Sequence, residues 1–192
     1  MLIEKSRILG LRLVTPRPIR DERGWFMRTY SADEHGSADM PVESFVQENQ
    51  SRSRKGTIRG LHTRAELREA KLVRVPHGRI FDVVVDLRPT SPTFLQWESF
   101  ILDDEEHRQL LVPAGCGHGF QALSDEATVC YKVDAPYDPA LDVAVAWNDP
   151  ELAIDWPLAD PLVSARDQAA PALAEVKNRL GDWFGKYSVH AG

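Results

Sequence analysis

The 192-residue sequence predicts an all-β sandwich or barrel with a helical C-terminal tail, on three observations. Runs rich in Val, Ile, Phe and Leu recur, mostly 8–15 residues apart; Gly, Pro, Asp and Asn punctuate them; and helical periodicity is confined to two stretches. In chain order, strands are expected at 10–14, 43–50, 57–62, 71–75, 79–87, 97–102, 109–112, 117–123 and 128–133. Such spacing leaves little room for the helices of alternating βαβ units. Pro76-His77-Gly78, between two apolar runs, reads as a hairpin turn. A short helix is expected at 31–35. A longer one is expected at 171–184, where Leu173, Val176, Leu180 and Trp183/Phe184 recur at helical spacing and would pack on the sheets. Pro136, Pro139, Pro150, Pro157 and Pro161 mark a loop-rich region between the last strand and that helix. No internal repeat or low-complexity segment interrupts the chain, which reads as one domain over 1–192 with its helical tail at 170–192.

Composition narrows the function classes. With 23 Lys+Arg against 29 Asp+Glu the net charge is −6, which argues against nucleic acid or an anionic membrane as a partner. No apolar run approaches the ~20 residues of a membrane span, and the N-terminus has no secretory pattern, so a cytoplasmic protein is expected. Cys116 and Cys130 form no CxxC and no spaced Cys/His set, so neither a disulfide framework nor a structural zinc is expected. The average conceals one stretch: residues 52–79 carry nine basic and two acidic side chains, a local charge of +7.

Five places are candidates for chemistry. In 79–87, alternation puts Phe81, Val83, Val85 and Leu87 on one face and Ile80, Asp82, Val84 and Asp86 on the other. That second face is either open to solvent or closed by partners for its carboxylates. Arg59-Gly60-Leu61-His62 ends one strand and Lys71 opens the next: a histidine suited to general-base work beside cations suited to an anionic ligand. Pro113-Ala114-Gly115-Cys116-Gly117-His118-Gly119-Phe120 delivers His118 through a tight turn to the start of a strand. Tyr131 is either a core tyrosine or a weak acid opposite a histidine base. Ser164-Ala165-Arg166-Asp167 reads by itself as a helix cap.

The PxGxxH run resembles the second motif of the cupins, but the HxH of the metal cupins is absent, so a three-histidine metal centre is not expected. The longer runs identify the family. Phe45-Val46-Gln47-Glu48-Asn49-Gln50-Ser51, Lys55-Gly56-Thr57-Ile58-Arg59-Gly60-Leu61-His62 and Lys71-Leu72-Val73-Arg74-Val75 resemble dTDP-4-dehydrorhamnose 3,5-epimerases. So do Phe81–Arg88 with Ser91-Pro92-Thr93-Phe94, then 113–120, Tyr131, Tyr137-Asp138-Pro139, Trp147-Asn148-Asp149-Pro150 and 164–167, in order over roughly 8–173. The resemblance implies an all-β cupin double-stranded β-helix, or jelly roll, and a homodimer that exchanges N-terminal strands. It implies no metal and no organic cofactor, and as substrate a dTDP-4-keto-6-deoxyhexose inverted at C3 and C5. It also implies roles: His62 as base, Asp167 as the carboxylate that orients it, Tyr131 as acid and Lys71 beside the C4 oxygen. Arg23, Gln47, Asn49, Arg59 and His118 would hold the nucleotide-sugar, with Asp82 near His118. Arg166 falls where a basic residue is frequent, and Asp142 where glutamate is usual.

The chain departs from the family at Thr63 and Arg64 after His62, along the charged loop 63–70, and at Arg28. The implied catalytic set is intact. The readings that remain beside double inversion are inversion at C3 or C5 alone, and a jelly roll that binds nucleotide-sugars without turning them over.

Overall fold

Strands whose side chains alternate in polarity bury their apolar faces only between layers. The computed structural model, which describes residues 1–36, 45–67 and 69–184, has two main layers. The strands are β1 (Leu2–Lys5), β2 (Arg12–Thr15), β3 (Ile19–Asp21), β4 (Gly24–Phe26), β5 (Gln47–Arg54), β6 (Thr57–Arg64) and β7 (Lys71–His77). Then come β8 (Arg79–Asp86), β9 (Trp97–Asp103), β10 (Gln109–Val112), β11 (Cys116–Ala122), β12 (Glu126–Val133), β13 (Asp142–Ala144) and β14 (Leu162–Val163). Three helices, α1 (Ala32–Gly36), α2 (Ala165–Gln168) and α3 (Leu173–Phe184), complete the elements used below.

Sheet I runs β1-β2-β10-β7-β12-β5 and sheet II runs β13-β6-β11-β8-β9, with β14 parallel to β6; β3 and β4 form a separate hairpin. From β5 onward the chain alternates between sheets at nearly every step, which is the winding of a jelly roll. Between the sheets, Val73, Val75, Leu110 and Val129 of sheet I pack against Ile80, Val84, Leu102 and Phe120 of sheet II. The outer face of sheet II is covered by α3: Leu173, Val176, Leu180 and Phe184 lie on Leu61, Val83, Val85 and Leu87. Their spacing of three or four residues makes one stripe, and each such side chain buried contributes about 1.5–3 kcal/mol.

The expected hairpin at Pro76-His77-Gly78 is not one. β7 pairs with β10 and β12 while β8 pairs with β9 and β11, so the link carries the chain across from sheet I to sheet II. Both kinds of corner need a tight turn. Gly78 sits at φ +81, and a Cβ there would come 2.2 Å from the Glu126 carbonyl oxygen. The nine expected strands all form, with ends shifted by up to four residues, except that residues 43–44 of one lie outside the described residues. β1, β3, β4, β13 and β14, of two to four residues, are unpredicted, whereas the equally short β10 shows itself by its continuous Leu-Leu-Val run. Residues 185–192 of the expected tail lie outside the described residues. No described helix is long and apolar enough to cross a membrane.

Candidate active site

Inward side chains of both sheets line a cavity of about 300 Å³. Sheet I supplies Gln47, Asn49 and Ser51 from β5, Lys71 from β7 and Tyr131 from β12. Pairing puts Asn49 and Val73 opposite Tyr131, and Gln47 and Lys71 opposite Val133, so the polar set shares one face with the core valines. Sheet II supplies Arg59 and His62 from β6 and His118 and Phe120 from β11.

Arg59 and His62 are three residues apart, a spacing that regular alternation would send to opposite faces. A bulge brings them together: His62 pairs with His118 and Arg59 with Phe120, so two β6 residues, Gly60 and Leu61, stand against Gly119 alone. Leu61 turns outward to the α3 cluster, where it exchanges backbone hydrogen bonds with Val145. Gly60, at φ +138, lies against β11 so closely that a Cβ would be 2.5 Å from the Gly119 Cα. The glycine lets an arginine and a histidine face one cavity.

Asp167 reaches the site through β14, which lies alongside Thr57 and Ile58. The chain then turns into α2, capped by the Ser164 hydroxyl, which accepts from the Asp167 amide at 3.1 Å. The cap expected from sequence forms, and the same turn brings Asp167 to His62. Asp167 Oδ1 lies 2.6 Å from His62 Nε2, and its Oδ2 accepts from the Gly60 amide at 3.5 Å. Burial works against the carboxylate, but bonds from His62, Gly60 and Ser164 and the charge of His62 outweigh it and hold its pKa below the usual range. An ionised Asp167 fixes the ring proton on Nε2 and leaves the Nδ1 lone pair free to accept another.

Beside it, His118 Nε2 lies 2.8 and 3.1 Å from the oxygens of Asp82. Burial pushes Asp82 upward, opposed by His118 and by the charge of Lys71. The Asp82/Asp86 face is therefore closed, not open to solvent. Asp86 accepts from Arg88 at 2.8 Å, from Ser91 at 2.5 Å and from Thr93 at 2.6 Å. Tyr131 is half-buried, and burial followed by the nearby Glu69 charge raises its pKa.

Most cavity cations are already matched by carboxylates: Arg166 with Asp142 at 2.6 Å, Arg64 with Glu69 at 2.7 Å and Lys71 with Glu69 at 3.2 Å. Arg59 instead donates to Ser53 Oγ at 3.0 Å and has no carboxylate partner among the described residues. One expected residue is elsewhere: Arg23 sits on the β3–β4 hairpin, bonded to Asp21 at 2.6 Å and 85% exposed, outside the cavity.

A sequence model described as dTDP-4-dehydrorhamnose 3,5-epimerase matches residues 5–175. The chain belongs to the dTDP-4-dehydrorhamnose 3,5-epimerase family. It is 45% identical over 164 residues to the dTDP-4-dehydrorhamnose 3,5-epimerase of Pseudomonas aeruginosa, covering 85% of this chain and 91% of that protein. It is also 45% identical over 179 residues to the dTDP-4-dehydrorhamnose 3-epimerase of Streptomyces niveus, covering 93% and 86%. Among solved structures, dTDP-6-deoxy-D-glucose-3,5-epimerase from Legionella pneumophila in complex with dTDP-4-keto-L-rhamnose superposes with a TM-score of 0.88 at 40% identity, covering 93% and 96%.

Within this epimerase-family cavity, sequence reasoning placed His62, Lys71, Tyr131, Asp167, Gln47, Asn49, Arg59, His118, Asp142 and Arg166, all of which line it. It missed Ser51, Arg64, Glu69, Phe120, Tyr137 and Ser164 as cavity walls. The excess charge of loop 63–70 signalled two of these, but no local pattern tells an inward arginine from a solvated one.

Proposed function

We propose that this chain inverts C3 and C5 of a dTDP-4-keto-6-deoxyhexose, of the dTDP-4-dehydro-6-deoxy-D-glucose to dTDP-4-dehydro-L-rhamnose type. The observation that carries the reading is the His62–Asp167 pair on sheet II, at 2.6 Å, across one cavity from Lys71 and Tyr131 on sheet I. A C4 ketone acidifies the protons on C3 and C5. His62 Nδ1 takes one of them, and the electron pair moves into the ketone as an enolate whose oxygen faces the Lys71 ammonium. Tyr131 returns a proton to the opposite face, which inverts the carbon, and the resulting phenolate regains its proton from solvent as His62 releases the one it took. The same cycle serves the second carbon.

The diphosphate needs cations, and Arg59 is the cavity arginine without a carboxylate partner among the described residues. We assign a second cation to Arg23 of the partner subunit in a homodimer with exchanged N-terminal strands. In support, the hairpin that carries Arg23 exposes Ile19 and Phe26 at about 70% each. Gln47, Asn49 and His118 face the same space and suit the sugar and phosphate oxygens. Two free, buried cysteines fit a reducing cytoplasm.

Inversion at C3 alone is the second reading, favoured by equal identity to the Streptomyces niveus 3-epimerase. Proton NMR of dTDP-4-keto-6-deoxyglucose turned over in D₂O separates the two. Deuterium is expected at both C3 and C5; deuterium at C3 only establishes the second reading, and none at either carbon removes the epimerase.

A further inference from the structure

Glu69 is a carboxylate inside a cavity whose other carboxylates already have defined partners, and no role implied for the site uses it. It lies between β6 and β7 at φ +76, a left-handed conformation that costs a non-glycine residue energy. The loop is held there by Asp134, whose carboxylate accepts from the Ala70 amide at 2.9 Å and from the Glu69 amide. So placed, Glu69 spans two cations: Oε2 is 2.7 Å from Arg64 Nη2 and Oε1 is 3.2 Å from Lys71 Nζ. Both cations are at least nine-tenths buried. Arg64 is fixed in turn by the Pro136 carbonyl and stacks on Tyr137, 5.5 Å from the ring centre.

We propose that Glu69 is the positioning residue for Lys71: anchored by Arg64, it holds the ammonium where the enolate oxygen forms. A lysine stem has four rotatable carbons, and an unrestrained ammonium must be ordered at each turnover. A tether removes that cost, which is the advantage of preorganised charge. Arg64 is required as well. Glu69 and Lys71 alone would cancel, whereas Arg64, Glu69 and Lys71 together keep one positive charge against the enolate.

The inference rests on the epimerase reading, and the test separates their failures. Deuterium exchange at C3 and C5, dTDP affinity and melting are measured for wild type, Glu69→Gln and the double variant R64M/E69M. Glu69→Gln is expected to lower kcat for exchange about 10–100-fold, the scale of a misplaced catalytic group, with KM and dTDP affinity changed less than about twofold. The double variant removes the buried arginine together with its carboxylate and is expected to fold, with Lys71 untethered and exchange equally slow.

The split between kcat and KM separates positioning from a scaffold role, and a pH profile adds a readout of the Glu69 charge beside Tyr131. Tyr131 shares the cavity with Glu69 from the β6–β7 loop, Arg59, His62 and Arg64 from β6, Lys71 from β7, His118 from β11, Tyr137 from the loop after β12, Asp142 from β13, and Arg166 and Asp167 from α2. Removing the Glu69 charge lowers the pKa of Tyr131, so the alkaline limb of kcat moves to lower pH. Wild-type exchange by Glu69→Gln, recovery in the double variant, or loss of the fold in both variants overturns the inference. Absence of exchange in the wild-type protein instead overturns the epimerase reading.

Discussion

Two histidine–carboxylate pairs stand side by side on sheet II, with His62 and His118 directly opposite in the β6–β11 ladder, and they are built for different work. The His62 side chain is 31% exposed and faces a carboxylate that is 4% exposed, fed by backbone and side-chain donors, and held ionised. The His118 side chain is 9% exposed and faces a carboxylate that is fully buried and pushed toward its neutral form. A base needs an accessible lone pair and an anion behind it that stays charged. Only the first pair offers both. The second pair is closed against the protein and suits holding a ligand oxygen or the sheet itself. Residue identity does not separate the two; the number of donors around each aspartate does.

The largest effect that would break this comparison is on Asp167. Asp167→Asn removes the anion and destabilises the needed tautomer, and C3/C5 exchange should fall about 10²–10⁴-fold. His118→Asn should act mainly on substrate KM, and steady-state kinetics of the two variants together would expose an exchange of roles. Tyr131→Phe comes next. In the proposed mechanism it removes the reprotonating acid and leaves the base, so it should slow inversion more than solvent exchange; equal losses in NMR and polarimetry would count against Tyr131 as acid.

The smallest effect is on stability. Asp167 is held below the ordinary aspartate value of 3.8, so its stabilising contribution is present above that pH and lost as the pH falls beneath it. Asp82 is held above 3.8, so over a window above that value the folded state binds the extra proton, and its contribution declines as the pH rises. Denaturant titrations of Asp167→Asn and Asp82→Asn at pH steps from about 3 to 7 should show opposite trends. The gap from wild type should widen with pH for Asp167→Asn and narrow for Asp82→Asn. Parallel slopes would mean that the two aspartates share one environment.

How much of this was legible in the sequence depends on the range of the interaction. Strand periodicity located β6 to β12 because each shows an alternating or continuous apolar run. It could not tell the Pro76–Gly78 corner from a hairpin, since pairing partners lie tens of residues away. Family resemblance supplied His62, Lys71, Tyr131 and Asp167, yet the reason Arg59 and His62 face together is a bulge that alternation alone contradicts. Arg64 and Glu69 read as surplus charge in a loop and form a buried bridge in space. Arg23 is the converse: expected at the site, it lies on the exposed β3–β4 hairpin, bonded to Asp21 and outside the cavity.

The most direct measurement is deuterium incorporation from D₂O into dTDP-4-keto-6-deoxyglucose by wild type, His62→Asn and His118→Asn, followed by proton NMR with dTDP affinity measured in parallel. The account predicts exchange at C3 and C5 for wild type, none at either carbon for His62→Asn despite retained dTDP binding, and exchange at both carbons for His118→Asn at saturating substrate. Exchange by His62→Asn at the wild-type rate, or its loss in His118→Asn alone, would contradict it.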